Sequence, residues 1–124
     1  MSHDAAVLET FVRRYLDTCA TGTAADVAAL YAEDATLEDP VGGGEVHIGR
    51  NAIEGFYKNM KASGGSMKTE LLTFRPGGHE AAFVFAITVA GALRIEPIEV
   101  MSFDGDGQIT AMKAYWSPAD ITQL

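Results

Sequence analysis

Cysteines, long apolar runs and basic residues are scarce in this 124-residue sequence, and each scarcity excludes some classes of protein. Cys19 is the single cysteine, so no internal disulfide can form, which suits a reducing compartment. No apolar run approaches the roughly 18–20 residues of a membrane-spanning helix. The opening stretch MSHDAAVLETF carries acids where a secretory signal has basic residues. We therefore expect a cytoplasmic protein without a membrane partner.

Basic residues are scarce as well, because nine Lys and Arg stand against 17 Asp and Glu, for a formal net charge of −8. Such a charge repels phosphate backbones, so nucleic acid is not an expected partner. The three histidines, His3, His47 and His79, are scattered along the chain, and the DGDG sequence lacks the further ligands of a calcium loop. The sequence therefore predicts no metal site.

The first half of the chain has helical patterning. Apolar residues recur at helical spacing between 7 and 19, and a third helix is expected over 51–62. Between them, Thr23 and Asp26 resemble a capping box. This box predicts a second helix that buries three apolar side chains, those of Val27, Leu30 and Tyr31.

The second half has strand patterning with turn residues between the strands. A short strand over 35–39 precedes the third helix, and four long strands follow it, over 67–74, 81–89, 93–103 and 108–116. This order predicts a single domain of the α+β class, in which helices cover one face of a mostly antiparallel sheet.

Both faces of the predicted sheet are apolar, although a soluble antiparallel sheet normally shows water one polar face. Between 81 and 89, phenylalanines and β-branched residues occupy one face, while Val84 and Ala86 occupy the other. Ile98 and Val100 extend that second face on the following strand. We therefore expect a homodimer in which the outer sheet face packs on a second subunit.

Three polar side chains interrupt the apolar face of their own elements: Tyr15 on the first helix, Asp39 after Ala35 and Leu37, and Glu99 in IEPIEVMSF. Each alone has an ordinary interpretation. Tyr15 could be core, Asp39 the end of a strand, and Glu99 the partner of a neighbouring cation. Together they predict a site, because two acids and a phenol directed at one apolar interior form a costly arrangement.

Proton transfer on an apolar substrate suits these three groups. An ionised Asp can act as general base on a carbon acid beside a carbonyl. A phenol and a neutral carboxylic acid can donate hydrogen bonds to the enolate oxygen that forms. Two acids in one pocket must then differ in protonation state, which requires different surroundings.

The sequence at this point resembles the Δ5-3-ketosteroid isomerase family, within the cone-shaped fold of nuclear transport factor 2. Five segments carry the resemblance, in family order and spacing over nearly the whole chain: RRYLD around Tyr15, LYAEDATLEDPVG around Asp39, GFYKN around Tyr57, EPIEVMSFD around Glu99 and MKAYWS around Trp116. The resemblance implies three helices packed on a curved sheet, a homodimer, and cofactor-free conversion of a Δ5-3-ketosteroid to its Δ4 isomer through a dienolate.

Carried over by position, the resemblance implies that Asp39 is the base and Tyr15 the oxyanion phenol, with Tyr57 and Tyr31 extending its hydrogen-bond network. Glu99 occupies the place of the family's protonated Asp. This residue departs from the family pattern, because the side chain of Glu is one methylene longer than that of Asp.

The resemblance also makes Trp116 a pocket wall near the base, whose indole N–H can donate to Asp39. We expect Phe56, Phe85 and Met101 to complete a steroid-binding surface. Two rivals stay open on the same fold: a polyketide cyclase- or epoxide hydrolase-type enzyme, and a non-catalytic ligand-binding dimer module.

Overall fold

The computed structural model describes residues 2–62 and 64–124, which form three α-helices and eight β-strands. The helices are α1 (Ala5–Thr21), α2 (Ala24–Ala28) and α3 (Arg50–Ala62). The strands are β1 (Tyr31–Glu38), β2 (Val46–Ile48), β3 (Met67–Gly77), β4 (Glu80–Val89), β5 (Leu93–Ile95), β6 (Ile98–Phe103), β7 (Ile109–Tyr115) and β8 (Ile121–Gln123). Within the described part of the chain, no helix has the length and apolar character needed to cross a bilayer.

All eight strands belong to one sheet, with the order β2-β1-β7-β6-β4-β5-β8 and with β3 paired to β4. The pairing of β1 with β7 is parallel and the other pairings are antiparallel. The helical layer packs against a curved sheet, so the predicted α+β class and its mostly antiparallel sheet are confirmed.

The predicted capping box exists: the Thr23 hydroxyl accepts from the Asp26 N–H, and the Asp26 carboxylate accepts from the Thr23 N–H. The helix that it opens is shorter than predicted. The expectation that this helix buries Leu30 and Tyr31 is wrong, since α2 ends at Ala28 and Tyr31 begins β1. The reason is competition for the backbone, because β7 pairs with this segment and the Ile109 N–H donates to the Leu30 carbonyl oxygen at 2.9 Å.

The strand predicted over 93–103 is interrupted at Glu96 and Pro97, where β5 ends before β6 begins. Proline lacks the N–H that a ladder needs. The register against β4 is nevertheless the same on both sides, with Ile87 opposite Ile95 and Val84 opposite Ile98. The alternation of side chains therefore continues through the break, and Glu99 stays on the inner face.

The main hydrophobic core lies between the helices and the inner face of the sheet. Its largest fully buried side chains come from every layer and include Leu8, Tyr31, Tyr57, Phe83 and Met112. Side-chain donors on two neighbouring elements bind backbone carbonyls of α1: Lys61 Nζ on α3 donates to the Cys19 carbonyl at 2.7 Å, and Thr69 Oγ1 on β3 donates to the Leu16 carbonyl at 3.1 Å. These contacts fix α1 beside the cavity described next.

Candidate active site

A cavity of about 500 Å³ opens between α1, α3 and the inner face of the sheet. Most of the wall is apolar. The lining residues are Tyr15, Cys19, Asp39, Phe56, Tyr57, Asn59, Met60, Met67, Phe85, Ile87, Val89, Leu93, Ile95, Pro97, Glu99 and Trp116. Tyr15, Asp39 and Glu99, which interrupt apolar patterns in three different elements, thus meet in one cavity.

Tyr15 belongs to a chain of three buried tyrosines. Its hydroxyl shares a hydrogen bond with that of Tyr57 at 2.8 Å, and Tyr57 shares a second with Tyr31 at 2.6 Å. Burial, as the main cause, raises the pKa of each phenol well above its usual value, so all three stay protonated. Tyr15 and Tyr57 line the cavity, whereas Tyr31 lies behind them in the core. These hydrogen bonds therefore hold the Tyr15 phenol at the cavity, with the Tyr57 phenol bonded to it.

Asp39 follows the end of β1 and lines the cavity next to Trp116. The Trp116 indole Nε1 donates to Asp39 Oδ1 at 2.6 Å, as the resemblance implied. Burial raises the pKa of Asp39, and the indole hydrogen bond opposes this rise by stabilising the carboxylate. The residue is thus a carboxylate with one oxygen held and with a greater basicity than a solvated aspartate.

The loop after Asp39 is fixed to the sheet. The Val41 N–H donates to the Ala114 carbonyl at 2.8 Å, and Gly44 folds back so that its N–H reaches the Pro40 carbonyl at 3.0 Å. A Cβ on Gly44 would lie 2.8 Å from the Asp39 carbonyl oxygen, so only glycine allows this approach. Ala114 is also the direct partner of Glu99 across β6 and β7. The backbone of Ala114 therefore fixes the position of Asp39 relative to that of Glu99.

Glu99 lies between Phe83 and Ala114 in the sheet and is only 2% exposed. Its Oε1 has no hydrogen-bond partner among the described residues, and neither Arg94 nor Lys113, the basic residues on the neighbouring strand positions, pairs with it. Arg94 instead pairs with Glu96 at 3.1 Å, while Lys113 is exposed. Burial first, and the negative charge of Asp39 second, raise the pKa of Glu99 well above its usual value. The raised pKa favours the protonated form of Glu99, and its Oε1 has unused hydrogen-bonding capacity.

The other residues predicted for substrate binding divide into two groups. Phe56 and Phe85 line the cavity, as does Trp116. Met101 does not, because it is fully buried in the core two residues beyond Glu99 on β6. Met101 shares the face of Glu99 but lies deeper than the cavity.

Sequence reasoning did not single out several lining residues. Cys19 follows Tyr15 by one helical turn, so the i, i+4 rule could have found it. Its thiol is buried, and burial raises its pKa to about 12, which makes it a poor nucleophile. Asn59 and Met60 flank Phe56 on α3, and Met67 opens β3. The helical pattern does place Met60 on the inward face with Phe56, whereas no local pattern marks Asn59 or Met67, which line the cavity only through tertiary packing.

The arrangement combines a basic carboxylate with two neutral donors in an apolar enclosure. The described residues contain no cluster of three His, Cys, Asp or Glu side chains that could hold a metal ion. A carboxylate can accept a proton from carbon, and the phenol and the carboxylic acid can donate to an oxygen that gains negative charge. The geometry thus suits proton transfer beside a carbonyl group.

Comparison with known proteins shows the family to which the chain belongs. The SnoaL-like domain model matches residues 12–112. The chain belongs to the SnoaL-like family. Within this family it is similar to a "Steroid Delta-isomerase" from Nocardioides simplex, with 51% identity over 119 residues that cover 94% of each chain. The resemblance inferred from the motifs is confirmed at this level.

A solved structure supports the fold of this SnoaL-like chain. It is described as that of the epoxide hydrolase/cyclase-like enzyme SalBIII, in pyran ring formation in the polyether salinomycin, and the TM-score is 0.86. The match covers 98% of both chains with 22% sequence identity. At this identity the likeness concerns the fold alone, and it agrees with the predicted cone of three helices on a curved sheet.

Proposed function

We propose that the protein is a steroid Δ5-isomerase, which converts Δ5-3-ketosteroids to their Δ4 isomers by proton transfer through a dienolate. The observation that carries this proposal is the unpartnered, buried carboxyl of Glu99 in the same apolar cavity as Asp39 and Tyr15. A buried polar group without a partner is costly in a purely structural role. A ligand oxygen would satisfy it, and the relative with 51% identity carries the corresponding name.

Asp39 takes the proton in the proposed first step. The proton leaves the carbon between the carbonyl and the double bond, and the electron pair moves toward the carbonyl oxygen. Because the Trp116 indole occupies Oδ1, the other carboxylate oxygen remains for the substrate. The raised pKa of Asp39 increases its basicity toward a weakly acidic C–H bond. In the second step Asp39 returns the same proton to the far carbon of the former double bond.

Tyr15 and Glu99 stabilise the dienolate oxygen. Both groups are neutral donors, because burial raises the pKa of the phenol and of the carboxyl. Donors in a water-poor cavity act strongly on a charge that develops only during the reaction. In this step Tyr57 donates its O–H to the Tyr15 oxygen, which leaves the Tyr15 O–H free to donate to the substrate oxygen. Glu99 here replaces the family's Asp, and its longer side chain supplies the same acid group.

The apolar wall fits the remainder of a steroid. Phe85, Ile87, Ile95 and Pro97 form neighbouring positions on the inner face of the sheet, and Phe56 faces them from α3. Such a surface gains free energy from burying a rigid hydrocarbon, and rigidity limits the entropy lost on binding. The enzyme needs no cofactor, because the proton that Asp39 removes is also the one that it returns.

The direct test is to mix purified protein with 5-androstene-3,17-dione and follow the ultraviolet absorbance of the conjugated enone. We expect absorbance to rise at a rate proportional to enzyme concentration. A flat trace with retained steroid binding would favour the ligand-binding module. A flat trace together with turnover of an epoxide substrate would favour the hydrolase or cyclase alternative.

We also infer a homodimer through the outer face of the sheet. On this face Ile98 and Tyr115 are direct cross-strand neighbours, 47% and 45% exposed, and Val84 lies beside Ile98 on β4. Contiguous apolar surface of this kind commonly marks an interface. Sedimentation equilibrium should give twice the chain mass, and Ile98→Lys should shift the population toward monomer. A wild-type protein that sediments as a monomer at high concentration would refute the inference.

A further inference from the structure

The polar groups of the cavity are concentrated at its inner end. Tyr57 is bonded to Tyr15, and Trp116 is bonded to Asp39, so these donors are already engaged. The Ala114 carbonyl, opposite Glu99 across the sheet, accepts from the Val41 N–H, so Asp39 and Glu99 lie close together at this end. The polar groups at the inner end would thus bind the end of the ligand that carries the reacting ketone.

The cavity continues outward from Glu99 as an apolar stripe. Pro97, Ile95 and Leu93 follow at alternate positions along the chain, and Leu93 is paired with Val89. Six residues of extended chain separate Glu99 from Leu93, which corresponds to about 20 Å at a rise of about 3.3 Å per residue. None of these outer side chains can form a hydrogen bond. A polar substituent at the far end of a ligand would therefore find no partner on the sheet.

Asn59 supplies a hydrogen-bonding group on the wall of the cavity that α3 forms. It lies on α3 between Phe56 and Met60, the two apolar residues that α3 contributes to the cavity. This end of α3 leads into Met67, which is paired with Val89 at the outer end of the stripe. The Asn59 side chain is exposed, so its amide is accessible. A carboxamide offers both a donor and an acceptor and can therefore bind a ketone or a hydroxyl.

We propose that Asn59 is a specificity-determining residue, which binds an oxygen substituent on the ligand at the end remote from the reacting ketone. The inference rests on the proposed function and adds the residue that distinguishes ketosteroids with a distal oxygen from those without one. Among the described residues that line the cavity, Asn59 carries the one carboxamide, and this amide lies outside the inner network. A partly solvated hydrogen bond of this kind changes affinity by roughly 3–10-fold.

The test pairs two substrates that differ only in the distal oxygen, 5-androstene-3,17-dione and 5-androsten-3-one. Asn59→Leu keeps the approximate size and removes the amide. We expect it to raise KM for the dione roughly 3–10-fold while kcat holds, and to leave KM for the deoxy substrate equal or lower. Lys58→Leu is the matched control, since this exposed residue on the same helix does not line the cavity. Lys58→Leu should change KM for neither substrate.

Binding separates failure of this inference from failure of the proposed function. Quenching of the single tryptophan, Trp116, by estrone and by its 17-deoxy analogue reports affinity without turnover. Equal effects of Asn59→Leu on both members of each pair, in an enzyme that isomerises both substrates, would overturn the role of Asn59 alone. If the wild-type protein neither binds nor isomerises any of these steroids, the inference falls together with the proposed function.

Discussion

Replacing Glu99 by Gln should change how the free energy of unfolding depends on pH. The folded-state pKa of Glu99 is raised above its ordinary value of 4.5, by burial first and by Asp39 second. Above pH 4.5 the unfolded chain therefore loses this proton while the folded chain keeps it. The contribution of Glu99 to stability is complete below the unfolded pKa and is lost as pH rises toward the folded pKa. Glutamine does not titrate, so Glu99→Gln should remove this loss.

The expected size follows from proton linkage. Each pH unit between the two pKa values costs about 1.4 kcal/mol of unfolding free energy. With Glu99 still protonated in the fold at pH 7, the wild type should lose about 3 kcal/mol relative to Glu99→Gln between pH 5 and pH 7. Only 2% of Glu99 is exposed, so solvent screening does not reduce this figure much.

Urea unfolding at pH 5, 6 and 7, followed by the fluorescence of Trp116, measures this difference. Glu70→Gln is the control, because it makes the same side-chain change at an exposed position on β3. The pH slope that belongs to Glu99 is the difference between the two variants. If the wild type and Glu99→Gln give parallel free energies from pH 5 to pH 7, Glu99 is ionised in the fold and cannot be the proposed donor.

Three further substitutions test the proposed roles in turnover. Asp39→Asn keeps the shape but removes the base, so kcat should fall by roughly 10²–10⁴ while a phenolic steroid still binds; near-normal kcat would exclude Asp39 as the base. Tyr15→Phe should lower kcat by roughly 10²–10³ with a smaller change in KM, and a rise in KM alone would reduce Tyr15 to a pocket wall. Trp116→Phe removes a hydrogen bond that lowers the pKa of Asp39, so the acid limb of kcat/KM should move to higher pH; movement to lower pH would contradict the contact.

Much of the fold could be predicted because local patterns and tertiary structure agree. The capping box at Thr23 and the alternation in IEPIEVMSF both have the structural meaning that their chemistry indicates. The prediction failed where pairing overrode local preference. Tyr31 has suitable spacing for a helix, yet pairing with β7 places it on a strand. The short strands β2 and β8 carry three residues each, too few for a periodic signal.

The inner end of the site was more predictable than the rest. Tyr15, Asp39 and Glu99 conflict with the apolar pattern around them, and such a conflict is visible in one sequence. Met101 satisfies the pattern of its strand, so no sequence feature distinguishes a cavity position from the deeper core position that it occupies. Asn59 lines the cavity from the flank of α3, which depends on how α3 packs against the sheet.

The migrating hydrogen gives the most direct test of the account. A Δ5-3-ketosteroid deuterated at the carbon between the carbonyl and the double bond is incubated with the wild type and with Asp39→Asn in ordinary water. Mass spectrometry then locates the label in the Δ4 product. The account predicts rapid enone formation by the wild type, with a share of the deuterium transferred to the far carbon, and loss of nearly all turnover in the variant. Absence of enone formation, or equal rates for both proteins, would contradict it.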